Sequence, residues 1–153
     1  MTSIVLVHPE IPHNTGAIGR TCVALDLELV LIRPYGFALS HKHLQRAGLD
    51  YWRHVRLAEF ASWEDFIAER APLPEQLFLF EDDARHSFYE PNYADDAYLV
   101  FGSETKGLPK GIRERHADRE VHLPMRSQHI RSLNLANAVT AAAYQALRGS
   151  LST

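Results

Sequence analysis

Apolar residues fall along this chain in short blocks, and the blocks alternate between two spacings. Ser3–Val7 is an apolar run closed by Pro9, the pattern of a strand buried on both faces. Asn14 then stands where a helix N-cap belongs, with Ala17, Ile18, Cys22 and Leu25 recurring at helical intervals. Leu27–Ile32 predicts a second strand, ended by Pro34-Tyr-Gly36, and Ser40 a capped short helix through Ala47, stopped by Gly48. Val55–Leu57 predicts a weak strand. Ser62–Glu69 predicts a helix with Trp63, Phe66 and Ile67 on one side. After Pro72 and Pro74, strands follow at Leu77–Phe80 and Tyr98–Phe101, a short helix at Pro109–Arg115, and a last strand at Val121–Leu123. A final helix runs from about Asn134 to Arg148, with Ser132 as its cap and Asn134 in its first turn. Strands alternating with helices imply an α/β architecture, a mainly parallel sheet flanked by helices, in one domain over residues 1–153.

Composition supports an ordinary core, since 46% of the 153 residues are hydrophobic. No apolar stretch approaches the roughly 20 residues that span a bilayer. Met1–Val7 lacks the basic start of a signal peptide, and the single cysteine, Cys22, excludes an internal disulfide. A cytoplasmic enzyme or binding protein is therefore expected. The net charge of −3 speaks against a strongly basic coat, but its distribution is uneven. Glu59 to Asp96 carries eleven acidic residues against Arg70 and Arg85. Lys106 to Arg131 reverses the balance, with seven lysines and arginines against three acids, and adds His116, His122 and His129. That second stretch can offer a positive surface to phosphates.

Three segments carry candidate chemistry. Phe101-Gly-Ser-Glu-Thr-Lys-Gly-Leu-Pro109 directly follows a strand, and a glycine-bracketed loop there is where an open α/β sheet binds a ligand. Its glycines let the backbone approach a flat base, Leu108 can pack on the ring, and Glu104 and Lys106 can hydrogen-bond a ribose or backbone. No G-x-G-x-x-G follows the first strand, and Lys106 precedes Gly107 instead of following it, so neither a Rossmann nor a Walker phosphate site is indicated. The nine histidines form no ligand-like grouping, and no metal is expected. The other two segments are Pro9-Glu-Ile-Pro-His-Asn-Thr-Gly-Ala-Ile-Gly-Arg20 and Leu123-Pro-Met125 leading into Arg131-Ser-Leu-Asn-Leu-Ala-Asn-Ala-Val139. The last helix carries an apolar stripe of Ala136, Val139, Thr140, Ala143 and Leu147, open either to packing within the chain or to a subunit interface.

Together and in this order, the three segments resemble the signature of the SPOUT-class RNA 2′-O-methyltransferases. The similarity is greatest to the small group that modifies the wobble nucleotide of tRNA, and it extends over nearly the whole chain. The resemblance implies a carboxyl-terminal trefoil knot, S-adenosylmethionine as methyl donor without a metal, and a homodimer with its site at the seam of the first and last helices. The substrate it implies is the wobble pyrimidine, presented by the tRNA anticodon loop. Carried over by motif position, Phe80, Gly102, Glu104, Gly107, Leu123, Met125 and Ser132 would hold the donor. Asn14, Arg20, Ser132 and Asn134 would serve catalysis, and Arg20, Arg126 and Arg131 would meet RNA phosphates. Arginine is a poor base because its pKa exceeds about 12, so alignment of hydroxyl and methyl would carry most of the rate. The alternative is a related RNA-binding protein that is catalytically silent or acts elsewhere, for example on rRNA.

Overall fold

The computed structural model describes residues 1–37 and 50–152. Its strands are β1 (Ser3–Val7), β2 (Glu28–Ile32), β3 (Arg56–Phe60), β4 (Leu77–Phe80), β5 (His86–Ser87), β6 (Tyr98–Phe101) and β7 (Glu120–His122). Its helices are α1 (Pro12–Leu25), α2 (Trp63–Arg70), α3 (Lys110–Arg115), α4 (Leu135–Ala146) and the short α5 (Arg148–Leu151). The seven strands form one sheet in the order β3-β2-β1-β6-β4-β7-β5, and every neighbouring pair is parallel. No helix among the described residues is long and apolar enough to cross a membrane.

Both faces of the sheet are covered, which is why its central strands read as unbroken apolar runs. Ile4, Leu6, Leu29, Leu31, Leu99 and Phe101 face one layer, where they meet Ile18 and Cys22 of α1 and Val139, Ala142 and Ala143 of α4. The alternate residues Val5, Val7, Val30, Ile32 and Val100 face the other, packed with Trp63 and Phe66 of α2 and Ile112 of α3. Strands β1, β4 and β6 have the predicted bounds. Three others shift: β2 starts at Glu28, β3 extends to Phe60 beyond the expected Leu57, and β7 covers 120–122 instead of 121–123. Strand β5 and the 3-10 turn at Asp50–His54 carry no pattern of their own. The helix expected over Ser40–Ala47 lies outside the described residues.

Helices α2 and α3 each begin one residue later than expected, with Ser62 and Pro109 as their N-caps, and the starts of α1 and α4 differ in which residue caps them. Pro12 takes the first position of α1, where its missing N–H costs nothing, so the N-cap moves to Ile11 and Asn14 lies inside the first turn. Asn134, not Ser132, caps α4: its side-chain oxygen accepts from the N–H groups of Ala136 and Asn137. Helices α1 and α4 lie together on one face, joined by Thr21 and Thr140, whose hydroxyls are 2.8 Å apart. The stripe on α4 is thus used within the chain, with Val139 and Ala143 fully buried. Gly19 of α1 is required by close approach, because a Cβ there would lie only 2.3 Å from the buried Trp52 ring.

Strand β7 lies beyond β4, whereas α4 packs on α1 and β6. The residues between β7 and α4 therefore cross back over the carboxyl ends of β4 and β6.

Candidate active site

Where that crossing passes the sheet edge there is a cavity of about 620 Å³. Four pieces of chain wall it: the end of β4 with Glu81 and Asp82, the loop from Phe101 to Gly107, Leu123 with residues 131–135 and Ala138, and Ile11 and Asn14 at the start of α1. A carboxyl-edge crevice between loops of an open parallel sheet is the usual place for a ligand in this architecture.

The loop after β6 is held as a tight turn. Ser103 and Gly107 exchange backbone hydrogen bonds at 3.3 and 3.0 Å, and Lys106 N–H donates to the Ser103 hydroxyl. Gly107 has φ +69°, a conformation that favours glycine. Gly102 is needed for a different reason: a Cβ there would fall on the backbone of Gly107 and Leu108. A reciprocal clasp then ties this loop to the start of α1. The Glu104 carboxylate accepts from the N–H groups of Glu10 and Ile11, while Glu10 accepts from the N–H and hydroxyl of Thr105. Those Thr105 bonds hold the Glu10 carboxyl below its ordinary range. Glu104 lines the cavity, and both its oxygens are engaged in positioning the loop.

Of the residues singled out in the sequence, Asn14, Phe80, Gly102, Glu104, Gly107, Leu123, Arg131, Ser132 and Asn134 line this one cavity. Asn14 is buried, and its side-chain oxygen accepts from Asn134 Nδ2 at 3.0 Å. Arg20, Met125 and Arg126 are not among the lining residues. Arg20 is exposed on α1, with its guanidinium 5.5 Å from the centre of the Tyr51 ring, and the Tyr51 hydroxyl donates to Gly16 O at 2.9 Å. Met125 and Arg126 are exposed beyond the cavity.

Two acidic residues of the lining escaped the sequence reading. Glu81 accepts the Leu108 N–H at 2.5 Å, and burial pushes its carboxyl up from the ordinary value. Burial likewise raises Asp82, against the opposing pull of Arg131. Their signal was present in principle, since two carboxylates directly after a buried strand fall at the sheet's carboxyl edge. Ile11 and Leu133 add apolar surface to the lining, and both remain substantially exposed.

The parallel sheet and its glycine-walled cavity define the class: an open α/β protein with a ligand-sized cavity at the carboxyl edge of its sheet. More narrowly, residues 1–144 match the SpoU rRNA Methylase family, and the chain belongs to it. The chain is 40% identical over 149 residues to a tRNA (cytidine(34)-2′-O)-methyltransferase of Burkholderia ambifaria, covering 97% of this chain and 95% of that one. A solved structure described as giving insight into 2-OH methylation of C/U34 on tRNA is 42% identical, covers 100% of this chain and 98% of its own, and has a TM-score of 0.88. An AdoMet-bound rRNA methyltransferase from Sinorhizobium meliloti is 25% identical with a TM-score of 0.83, over 98% of this chain and 57% of that one.

Proposed function

We propose that this protein transfers the methyl group of S-adenosylmethionine to the ribose 2′-hydroxyl of the wobble pyrimidine, position 34, of tRNA. The observation that carries this reading is the meeting of Gly102, Leu123 and Ser132 around one cavity, with Asn14 and Asn134 joined in its wall. The relatives named for C34 or C/U34 methylation match nearly end to end, which favours tRNA over rRNA as the substrate.

The cavity fits such a donor. Its volume is in the range of small-ligand sites, and its walls combine aromatic and aliphatic side chains with the close backbone of Gly102 and Gly107. Phe80 and Leu123 would enclose the base, the Gly102–Gly107 backbone would meet its polar edge, and Ser132 would hydrogen-bond the polar tail. Bound there, the donor supplies a methyl carbon already activated by its sulfonium, and no metal is called for. The protein then has to align the ribose oxygen with that carbon. Asn14 is suited to that alignment: its oxygen is taken by Asn134, and its amide N–H groups have no partner among the described residues.

Arg20 would hold the substrate phosphate and assist loss of the hydroxyl proton. Because it does not line its own chain's cavity, it is assigned to the cavity of a second copy, in a homodimer joined near α1 and α4. The exposed apolar residues Ile11, Ile130 and Leu133 fit such a seam. Arg126 and Arg131 are assigned to RNA phosphates. The crossing between β7 and α4 is the segment that would be threaded as a trefoil knot, within a single unit over residues 1–153, and the cytoplasm is the expected compartment.

Two measurements test the reading. Calorimetry without added metal should show binding of S-adenosylmethionine or its demethylated product, and no heat with either removes the donor. Mass spectrometry of nucleosides should then show a new 2′-O-methylpyrimidine at position 34 of tRNA incubated with protein and donor. Binding without that product would favour a silent or rRNA-directed relative.

A further inference from the structure

A second groove, of about 950 Å³, lies on the other side of the Gly102–Pro109 loop. It shares Ser103, Lys106 and Gly107 with the cavity described above, so the two spaces are separated by one turn of backbone. Its apolar lining is Pro9, Tyr35, Leu108 and Pro109, and its charged lining is three cations against one carboxylate. Tyr35 is held in place there, its hydroxyl donating to Glu59, its ring centre 4.9 Å from the Arg33 guanidinium and 5.1 Å from the Phe37 ring. The lining carboxylate, Glu10, accepts both the N–H and the hydroxyl of Thr105 through one oxygen, Oε1. Of the cations, Arg113 is committed to Glu120 and Asp83 at 2.6 Å. Lys106 is exposed, with no side-chain bond among the described residues, and Lys110 has a side chain 90% exposed and only a 3.7 Å approach to Glu114. His8 also lines the groove in a left-handed conformation (φ 56°), which non-glycine residues rarely take and which clusters at functional sites. Its Nδ1 is sealed from solvent without a partner among the described residues.

Apolar and aromatic surface beside unspent lysines is what a single strand of nucleic acid needs: surface for bases and charge for the backbone. We propose that this groove carries the unpaired nucleotides next to the methylated one, so that the RNA strand leaves the active cavity over Lys106 and lies along Tyr35 and Lys110. The proposal rests on the function proposed above and names how that substrate is held. Lys106 belongs to both spaces, which makes it the crossing point and a poor probe of either. Lys110 and Tyr35 belong to the groove alone.

The test measures binding of an anticodon stem-loop RNA by the full chain across a salt series, together with methylation and donor calorimetry, for the wild type, Lys110→Ala, Lys110→Glu and Tyr35→Ala. Lys110→Ala should lower the slope of log affinity against log salt by about 0.7, the value for one phosphate contact on a single strand. Lys110→Glu should weaken RNA binding further. Tyr35→Ala should weaken it by roughly ten-fold, the scale of one lost base–aromatic contact. In each variant the effect should fall on KM for RNA, with donor affinity unchanged. Wild-type affinity and slope in both Lys110→Glu and Tyr35→Ala would overturn the groove while leaving the function in place. A wild-type protein that binds donor but neither binds nor methylates the RNA would overturn both.

Discussion

Asn134 and Asn14, 120 residues apart in the chain, share a hydrogen bond of 3.0 Å in which Asn134 Nδ2 donates to Asn14 Oδ1. The other end of the Asn134 amide accepts the N–H groups of Ala136 and Asn137 and so caps α4. One side chain therefore starts one helix and fixes the orientation of a second amide in the cavity. Asn134→Asp separates the two roles. A carboxylate caps as well as an amide, so the fold should stay within about 0.5 kcal/mol of the wild type. It cannot donate to Asn14, whose amide then turns its N–H groups toward the new carboxylate and its oxygen toward the ribose. Methylation should drop by at least a hundred-fold while the melting temperature holds. Full activity in this variant would show that the Asn14 orientation does not matter.

Arg20 supplies a test of the shared site. Arg20→Ala should abolish methylation yet leave donor affinity within a few-fold, because its proposed partner is the RNA phosphate and not the donor. Mixed with Asn134→Asp, it should regain activity. Random exchange of subunits yields half mixed dimers, each with one intact site, so roughly a quarter of wild-type activity should return. Purified mixtures assayed after subunit exchange give the answer, and persistent inactivity would place Arg20 and Asn134 in the same chain's site.

Much of this fold is legible in the sequence, and the exceptions have identifiable causes. Strands β1, β4 and β6 show plainly because each is an apolar run buried on both faces, with Pro9 after β1, Pro72 and Pro74 before β4, and Gly102 after β6. Strand β5 is two residues long and owes its existence to pairing with β7, so nothing local marks it. Asn14 resembles a cap until Pro12 is given its preference for the first helical position. At α4, Ser132 and Asn134 compete, and only the asparagine reaches the N–H groups two and three residues on. The cavity residues with motif character were recognisable in advance. Glu81 and Asp82 carry only the weaker signal of following a buried strand, and which edge crevice they enter is decided once β4 is placed between β6 and β7.

Gly102 should tolerate no side chain. A Cβ there would overlap main-chain atoms of Gly107 and Leu108, which cannot swing aside as a side chain would. Gly102→Ala must therefore open the turn that the Ser103–Gly107 pair closes, and a cost of about 2–3 kcal/mol is expected. Chemical denaturation would measure that loss, and calorimetry should find donor binding weakened at least ten-fold. Gly111→Ala is the control, since nothing lies within 4 Å of its added carbon. Equal behaviour of the two variants would contradict the close-approach argument.

The Glu28–Arg70 pair should govern part of the acid stability. Arg70 on α2 donates through both terminal nitrogens to the two Glu28 oxygens at 2.8 and 2.9 Å, and the Ser3 hydroxyl donates to the same carboxylate. The side chains are 26% and 21% exposed, which places the pair between a surface bridge and a buried one. The Arg70 bonds, outweighing burial, hold the Glu28 carboxyl below its ordinary value of 4.5. A carboxyl depressed in the fold contributes its stability in full above the unfolded value and loses it as pH falls through the folded one. Arg70→Met keeps much of the packing but leaves Glu28 without its cation, and should cost about 2 kcal/mol at pH 7. That deficit should shrink as the pH drops below about 4.5, where the wild type progressively loses the same contribution. Glu81 runs the other way. Its carboxyl is raised by burial, so protonation favours the fold as pH falls from the raised value toward 4.5. Urea titrations at pH 7, 5 and 3.5 on both proteins isolate the pair, because the Glu81 contribution is common to them and cancels in the difference. A deficit that stays constant over the three pH values would show that Arg70 stabilises the fold by packing and not by its charge.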